Sequence, residues 1–140
     1  MSHPFAINKK DEDLSPICLI IPPSPFLLDE RVFMSLGILR VAAVLEQAGL
    51  PVEVVDLSGV ENFEEAIRDH VRQTGAQTFG LTATTPQMPA VKAIRDVVRE
   101  ERRDAKLILG GPHMTLVHAA AHREKKKRAL GRATKALTHL

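Results

Sequence analysis

Two groups of residues in this 140-residue chain have the chemistry of a ligand-binding site. Thr82, Thr84 and Thr85 place three hydroxyl groups within four residues, and hydroxyls both donate and accept hydrogen bonds. Gly110 and Gly111 follow the apolar run KLIL and leave the main chain without side chains. Because glycine has no Cβ, a bulky group can approach such backbone closely. Both groups predict binding of a large ligand.

Three histidines are candidates for metal binding or for general-base catalysis. His118 and His122 are four residues apart, the spacing of two metal ligands on one helix face. No third ligand is near them in the sequence, so we expect two solvated side chains. His113 is a candidate general base, but no paired carboxylate or activated nucleophile accompanies it. We therefore assign no catalytic residue and no protein metal ligand.

The composition is that of a globular chain, with 44% hydrophobic and 26% charged residues. No apolar run approaches the roughly 20 residues that span a bilayer, and no secretory cleavage site follows the N-terminus. The single cysteine, Cys18, lies within the apolar run ICLII and is expected in the core. Because Cys18 has no partner for an intramolecular disulfide, the chain fits a reducing compartment, and we predict a cytoplasmic location. We expect no membrane contact.

The charge is distributed unevenly. Residues 118–140 hold seven of the 19 Lys and Arg residues but one of the 17 Asp and Glu residues. A basic tail on an acidic body can bind nucleic acid or an acidic partner, although such runs more often form the solvated face of a helix. We regard nucleic acid as an unlikely partner and retain the acidic-partner alternative below.

Strand and helix patterns alternate along the chain. Alternation with short connections predicts a parallel sheet with helices on both faces, in a Rossmann-like or flavodoxin-like three-layer α/β/α fold of strand order 2-1-3-4. We expect the first helix to be largely buried, and the third to begin with Thr85 as its N-cap and Pro86 at its first position. The predicted strands are 17–21, 52–57, 78–82 and 106–109, and the predicted helices are 36–49, 62–75, 85–101 and about 116–140.

Three connections differ from the rest. The segments PPSPFLLDERVFMSLG, ATTPQ and GGPHMT follow the first, third and fourth strands, which are neighbours in the order 2-1-3-4. Ligands of such sheets bind outside the carboxyl ends of the strands, near the point where strand order reverses. One site at that edge would explain all three segments. The chain lacks G-x-G-x-x-G and G-x-x-x-x-G-K-[ST], which argues against the usual nucleotide sites. Proline, hydroxyls and bare backbone favour a large, flat, mostly uncharged ligand carrying amide groups.

In their order along the chain, PPSPF, LGILRVAAVLEQAG, TATTPQ and GGPH resemble the cobalamin-binding domain at the N-terminus of class B radical S-adenosylmethionine enzymes. The likeness runs from about Ile17 into the tail. The resemblance implies that the corrin lies over the carboxyl edge of the sheet and that the nucleotide tail of the cofactor passes along its side. We divide the chain accordingly into a polar leader (1–16), the cobalamin-binding-like domain (17–117) and a basic helical segment (118–140).

The family motifs carry over residue by residue. Gly37 matches the glycine of D-x-H-x-x-G, which places Met34 where many relatives have the cobalt-binding histidine; the resemblance thus implies base-off cobalamin without a protein imidazole. Thr82 and Thr84 match the S-x-L motif, whose hydroxyl bonds the nucleotide tail. Gly110 and Gly111 match the GG pair, where any Cβ would collide with that tail. The implied cofactor-binding set is Pro23, Ser24, Pro25, Met34, Gly37, Thr82, Thr84, Thr85, Gly110, Gly111 and Pro112.

Two departures from the family limit what the chain does alone. The C-x-x-x-C-x-x-C motif is missing, so S-adenosylmethionine and a [4Fe-4S] cluster would belong to a separate catalytic domain of methyltransferase or rearrangement type. No fifth strand pattern follows the fourth, so we expect either a piece of a longer protein or a partner that completes the sheet. The alternative function is a cofactor-free interaction domain whose basic C-terminal helix binds an acidic partner or nucleic acid.

Overall fold

The computed structural model describes residues 14–24 and 35–126. Within these ranges strands and helices alternate as the sequence predicts. A short 3-10 turn, Thr85–Gln87, precedes the third helix. The strands are β1 (Ile17–Ile21), β2 (Val52–Asp56), β3 (Thr78–Thr82) and β4 (Lys106–Gly110), and the helices are α1 (Leu36–Gln47), α2 (Phe63–Gln73), α3 (Met88–Glu101) and α4 (Pro112–Lys126).

The four strands form one parallel sheet in the order β2-β1-β3-β4, which confirms the predicted fold class. In the register, Leu19 pairs with Val54 on one side and with Gly80 on the other. Gly80 in turn pairs with Ile108 of the edge strand β4. Because side chains alternate along each strand, these four residues share one face of the sheet.

The opposite face carries the larger core. Phe79, Ile20, Ile67, Ile94 and Val98 are fully buried there, where α2 and α3 cover the sheet. The buried residues of α3 recur at helical spacing, so they form one apolar face that packs on the sheet. The layer α2–α3 therefore holds the sheet rigid from one side.

The first helix is much more exposed than the sequence predicts. Only Ile38 and Ala42 of α1 are buried, and they pack on Leu19 and Ile21. The other apolar residues of the helix include Leu36 and Val44, which are about two-thirds exposed: 66% and 63%. The prediction of a largely buried helix was wrong because α1 contacts the sheet mainly over β1 and β2. Among the described residues, the core on this face includes none of β3 or β4, and Ile108 of β4 is 54% exposed.

Two element boundaries also differ from prediction. Thr84, not Thr85, occupies the N-cap position before the 3-10 turn, and its backbone N–H donates to Gln87 Oε1 at 2.9 Å. The helix α4 begins at Pro112, so the connection after β4 is the single residue Gly111 rather than a six-residue loop. Pro112 can start the helix because a first-turn residue needs no N–H donor. In the described residues, no helix is long and apolar enough to cross a membrane.

An ion-pair network fixes α2 against α3. Arg68 and Arg72 of α2 both donate hydrogen bonds to the Glu101 carboxylate, at 2.7 and 2.9 Å. Arg68 also bonds Glu100 at 2.8 Å. The hydrogen bonds from Arg72 and Arg68 lower the pKa of Glu101 to about 2. This arrangement links α2 to the C-terminal end of α3.

We predict that this network contributes stability that acid removes. Because the pKa of Glu101 is lower in the folded protein, its contribution is complete above the ordinary glutamate pKa of 4.5 and is lost as the pH falls towards about 2. Urea midpoints measured across that range should fall with pH, and the Glu101→Gln variant should show a flatter dependence. Equal slopes for the two proteins would contradict this assignment. Glu61→Gln, at an exposed loop position, is the matched control.

Candidate functional site

The ends of β1 and β3 are joined at the carboxyl edge of the sheet. Gln87, in the turn after β3, donates from Nε2 to the carbonyl oxygen of Pro22 at 2.7 Å. The Oε1 atom of the same side chain accepts from the Thr84 backbone. One amide side chain therefore binds the segment after β1 and the segment after β3 together. Because Pro22 is buried, this contact is part of the fold rather than a surface association.

The ends of β3 and β4 are joined in the same way. The backbone N–H of Ala83 donates to the Gly110 carbonyl at 3.2 Å, and the His113 N–H donates to the Ala83 carbonyl at 3.0 Å. The Thr85 hydroxyl and His113 Nδ1 share a hydrogen bond at 2.9 Å. The structure thus brings Pro22, the first residue after β1, close to the segments after β3 and β4, as the predicted strand order requires.

A groove of about 470 Å³ runs from this edge along the open face of the sheet. Its floor is formed by β3 and β4, and α1 forms one wall. Its lining is apolar or carries a neutral hydroxyl, with no charged side chain. The lining residues are Ile17, Leu19, Gly37, Ile38, Val41, Leu45, Thr78, Gly80, Leu81, Thr82, Ile108, Gly110, Gly111 and Pro112.

The floor of the groove is unusual for a central strand. Strands of parallel sheets are commonly apolar on both faces because helices cover both. In β3 the buried face carries Phe79 and Leu81, whereas the groove face carries Thr78, Gly80 and Thr82. These small residues give a helix little apolar surface to pack on. They leave room for a ligand between the sheet and α1.

The two glycines after the KLIL run have different surroundings, although the sequence predicts one shared role for them. At Gly110 an added Cβ would meet nothing within 4 Å, so the space beside it belongs to the groove. At Gly111 the backbone has φ +95°, and a Cβ would lie 2.6 Å from Thr82 Oγ1 and 2.8 Å from the Ala83 nitrogen. The chain itself therefore requires glycine at Gly111. Only Gly110 keeps space open for something else.

The remaining predicted residues fall into three groups. Gly37, Thr82, Gly110, Gly111 and Pro112 line the groove. Thr84 and Thr85 are exposed at the carboxyl edge, and Pro23 and Ser24 follow β1 beside Pro22. Two predicted residues, Pro25 and Met34, lie outside the described residues.

Sequence reasoning missed three contributors. Gly80 is a glycine in the middle of a strand, a signal that was available in the sequence. An added Cβ would lie 2.8 Å from Leu19 Cδ2, so this glycine makes room for the Leu19 side chain. Val41 belongs to the wall formed by α1, and its exposure depends on how far that helix reaches across the sheet. Gln87 bridges two segments that are 65 residues apart, a contact that no local pattern predicts.

Comparison with known proteins agrees with this geometry. Residues 30–140 match the family model described as B12 binding domain. The match covers most of the chain, and the protein belongs to this family. No curated protein and no solved structure matched the chain.

The residues of the groove fit the cofactor that the family implies. A side chain at Gly110 would project into the groove, so the absence of one preserves space that the described residues do not use for packing. The lining suits a flat heterocycle because it is mostly apolar, and Thr82 supplies one hydroxyl beside Gly111. Cobalamin binding is thus consistent with both the family and the shape of the site.

Proposed function

We propose that this domain binds cobalamin with the nucleotide tail in the groove and the corrin over the carboxyl edge of the sheet. The observation that carries the proposal is the groove itself, which is floored by Gly80 and Gly110 and opens where the segments after β1, β3 and β4 meet. A bound heterocycle would cover the part of β3 and β4 on which no helix of the described residues packs. Burial of that apolar surface would stabilise the complex.

The chain's own residues would bind and orient the cofactor. Thr82 offers a hydroxyl at the end of the groove, and Thr84 and Thr85 offer two more at the exposed edge. Gln87 and His113 hold those hydroxyl-bearing segments in place through their bonds to Pro22 and Thr85. The cofactor itself supplies the organometallic chemistry of cobalt.

We also propose how cobalt is ligated and which catalytic domain acts with this one. Met34 occupies the sequence position at which many relatives have the cobalt-binding histidine, so we propose base-off cobalamin without a protein imidazole. With a single cysteine, this chain cannot supply a three-cysteine cluster motif. We place S-adenosylmethionine and its [4Fe-4S] cluster in a radical S-adenosylmethionine catalytic domain that acts in cis or in trans, in the cytoplasm.

Cofactor retention tests this function. Purified protein mixed with hydroxocobalamin and then desalted should retain about one corrinoid per chain, and methylcobalamin should give a base-off spectrum when bound. Loss of all corrinoid on desalting would contradict the proposal. Retention with a base-on spectrum would overturn both the base-off assignment and the placement of the tail in the groove, because the benzimidazole would then remain bound to cobalt.

A second candidate rests on the positive charge of residues 118–140. A cofactor-free interaction domain would use this segment to bind an acidic partner, although residues 127–140 lie outside the described part of the chain. Binding of that kind should weaken steeply with salt and should survive substitution of Gly110. Corrinoid retention that Gly110 controls would instead favour the first function.

A further inference from the structure

Three potential metal ligands converge on the face of the sheet opposite the groove. Cys18 of β1 and Glu53 of β2 are paired in the sheet register and therefore lie side by side. His70 reaches them from α2, and one ligand atom from each residue lies within 4.8 Å of the others. The residues are widely separated in sequence but adjacent in the fold. They combine sulfur, nitrogen and oxygen donors.

The carboxylate of this cluster is held in a defined position. Glu53 Oε2 accepts a hydrogen bond from the Thr74 hydroxyl at 2.6 Å and lies 2.9 Å from His70 Nε2. The Thr74 hydroxyl in turn accepts from the Ala76 N–H at 3.1 Å, and Arg102 donates to the Thr74 carbonyl at 2.9 Å. Such supporting bonds around a ligand orient it and tune its affinity for a metal.

The thiol of Cys18 is the unexplained member of the cluster. It is completely buried and is not in a disulfide. Around it the core is apolar, apart from Glu53 and His70. A buried polar side chain that is directed at two other donors is an arrangement that a cation would complete.

We propose that Cys18, Glu53 and His70 form a binding site for a zinc ion. Zinc takes thiolate, imidazole and carboxylate ligands, whereas calcium and magnesium take oxygen ligands. Tetrahedral zinc holds its ligand atoms about 3.5 Å apart. Side-chain shifts of roughly 1 Å, in which bonds to zinc replace the hydrogen bond of 2.9 Å between His70 and Glu53, would form the site. On binding, the thiol proton passes to solvent, and thiolate and carboxylate together neutralise the ion.

A metal ion can reach the site from solvent, and water can serve as the fourth ligand. The side chains of Glu53 and His70 are each 32% exposed, so an ion and a water molecule can enter between β2 and α2. A bound ion would join β1, β2 and α2. Because the site lies on the opposite face from the groove, the inference does not depend on cobalamin binding.

Zinc titration of the full chain tests this site. Competition with a chromophoric chelator should show one tight zinc ion per chain, and cadmium should give a near-ultraviolet thiolate charge-transfer band. Cys18→Ala should abolish the band, and both Cys18→Ala and His70→Gln should weaken zinc binding by roughly 100-fold or more. His70→Gln keeps the fold testable because His70 is only partly buried. Zinc should also raise the melting temperature of the parent protein.

A double variant, His118→Ala with His122→Ala, provides the matched control. These exposed histidines have helical metal-ligand spacing on α4, and removing them should leave the tight site unchanged. Zinc binding that follows this pair, that is unaffected by Cys18→Ala, or that is never stoichiometric would overturn the proposal. A variant counts only when its circular dichroism matches that of the parent.

Discussion

Replacing Gly110 with valine should lower cobalamin affinity by about 100-fold while the domain stays folded. The backbone at this position tolerates a side chain, since an added Cβ meets no atom within 4 Å, and valine is a favourable strand residue. The new isopropyl group would instead occupy the groove between Ile108 and Pro112. Equilibrium titration with hydroxocobalamin, followed by its visible spectrum, measures the effect.

Gly75→Val is the matched control for this experiment. Gly75 is an exposed glycine outside the groove, and its nearest neighbour for an added Cβ is Pro16 Cδ at an ordinary 3.7 Å. This variant should bind cobalamin as the parent does. Unchanged affinity in Gly110→Val would show that the cofactor tail does not pass β4 where we place it. Equal losses in both variants would indicate a general effect of added side chains.

The second large effect is expected at the neighbouring residue, and it is an effect on folding. Gly111→Ala should reduce the free energy of unfolding by roughly 3 kcal/mol because it combines an unfavourable positive φ with a clash. The Cβ would lie 2.6 Å from Thr82 Oγ1 and 2.8 Å from backbone nitrogen, and the backbone of Ala83 cannot move freely. Urea unfolding of the cofactor-free protein measures the loss.

Gly110→Ala serves as the control for folding. It should change the free energy of unfolding by about 1 kcal/mol or less, since the space beside Gly110 is open. A similar stability for both alanine variants would contradict the distinction between the two glycines. The contrast is informative because the residues are adjacent in sequence and yet differ in surroundings, with open space beside Gly110 and the chain beside Gly111.

Much of the fold could be predicted from the sequence because its signals are local. Alternating apolar runs and glycine stops define the strands and helices, and short connections require the parallel order that the structure has. That order alone places the segments after β1, β3 and β4 at one edge. The predicted convergence of these segments follows from topology and needed no knowledge of side-chain contacts.

The features that could not be predicted from the sequence depend on distances between residues that are remote in the chain. The exposure of α1 could not be predicted because LGILRVAAVLEQAG is apolar enough for a buried helix, and the position of the helix over β1 and β2 decides which side chains are covered. The difference between Gly110 and Gly111 depends on the backbone angle at Gly111 and on the proximity of Thr82. The cluster of Cys18, Glu53 and His70 joins residues 17 or more positions apart, without the spacing of a metal motif.

Binding of cobalamin compared with cobinamide tests the central claim most directly. Cobinamide keeps the corrin ring and cobalt but lacks the nucleotide tail, so the comparison isolates the part of the cofactor that the groove would hold. We predict that the parent protein binds cobalamin more tightly by about 100-fold, and that Gly110→Val removes most of this preference. Equal affinities of the parent for the two corrinoids would contradict the claim that the groove is the tail-binding site.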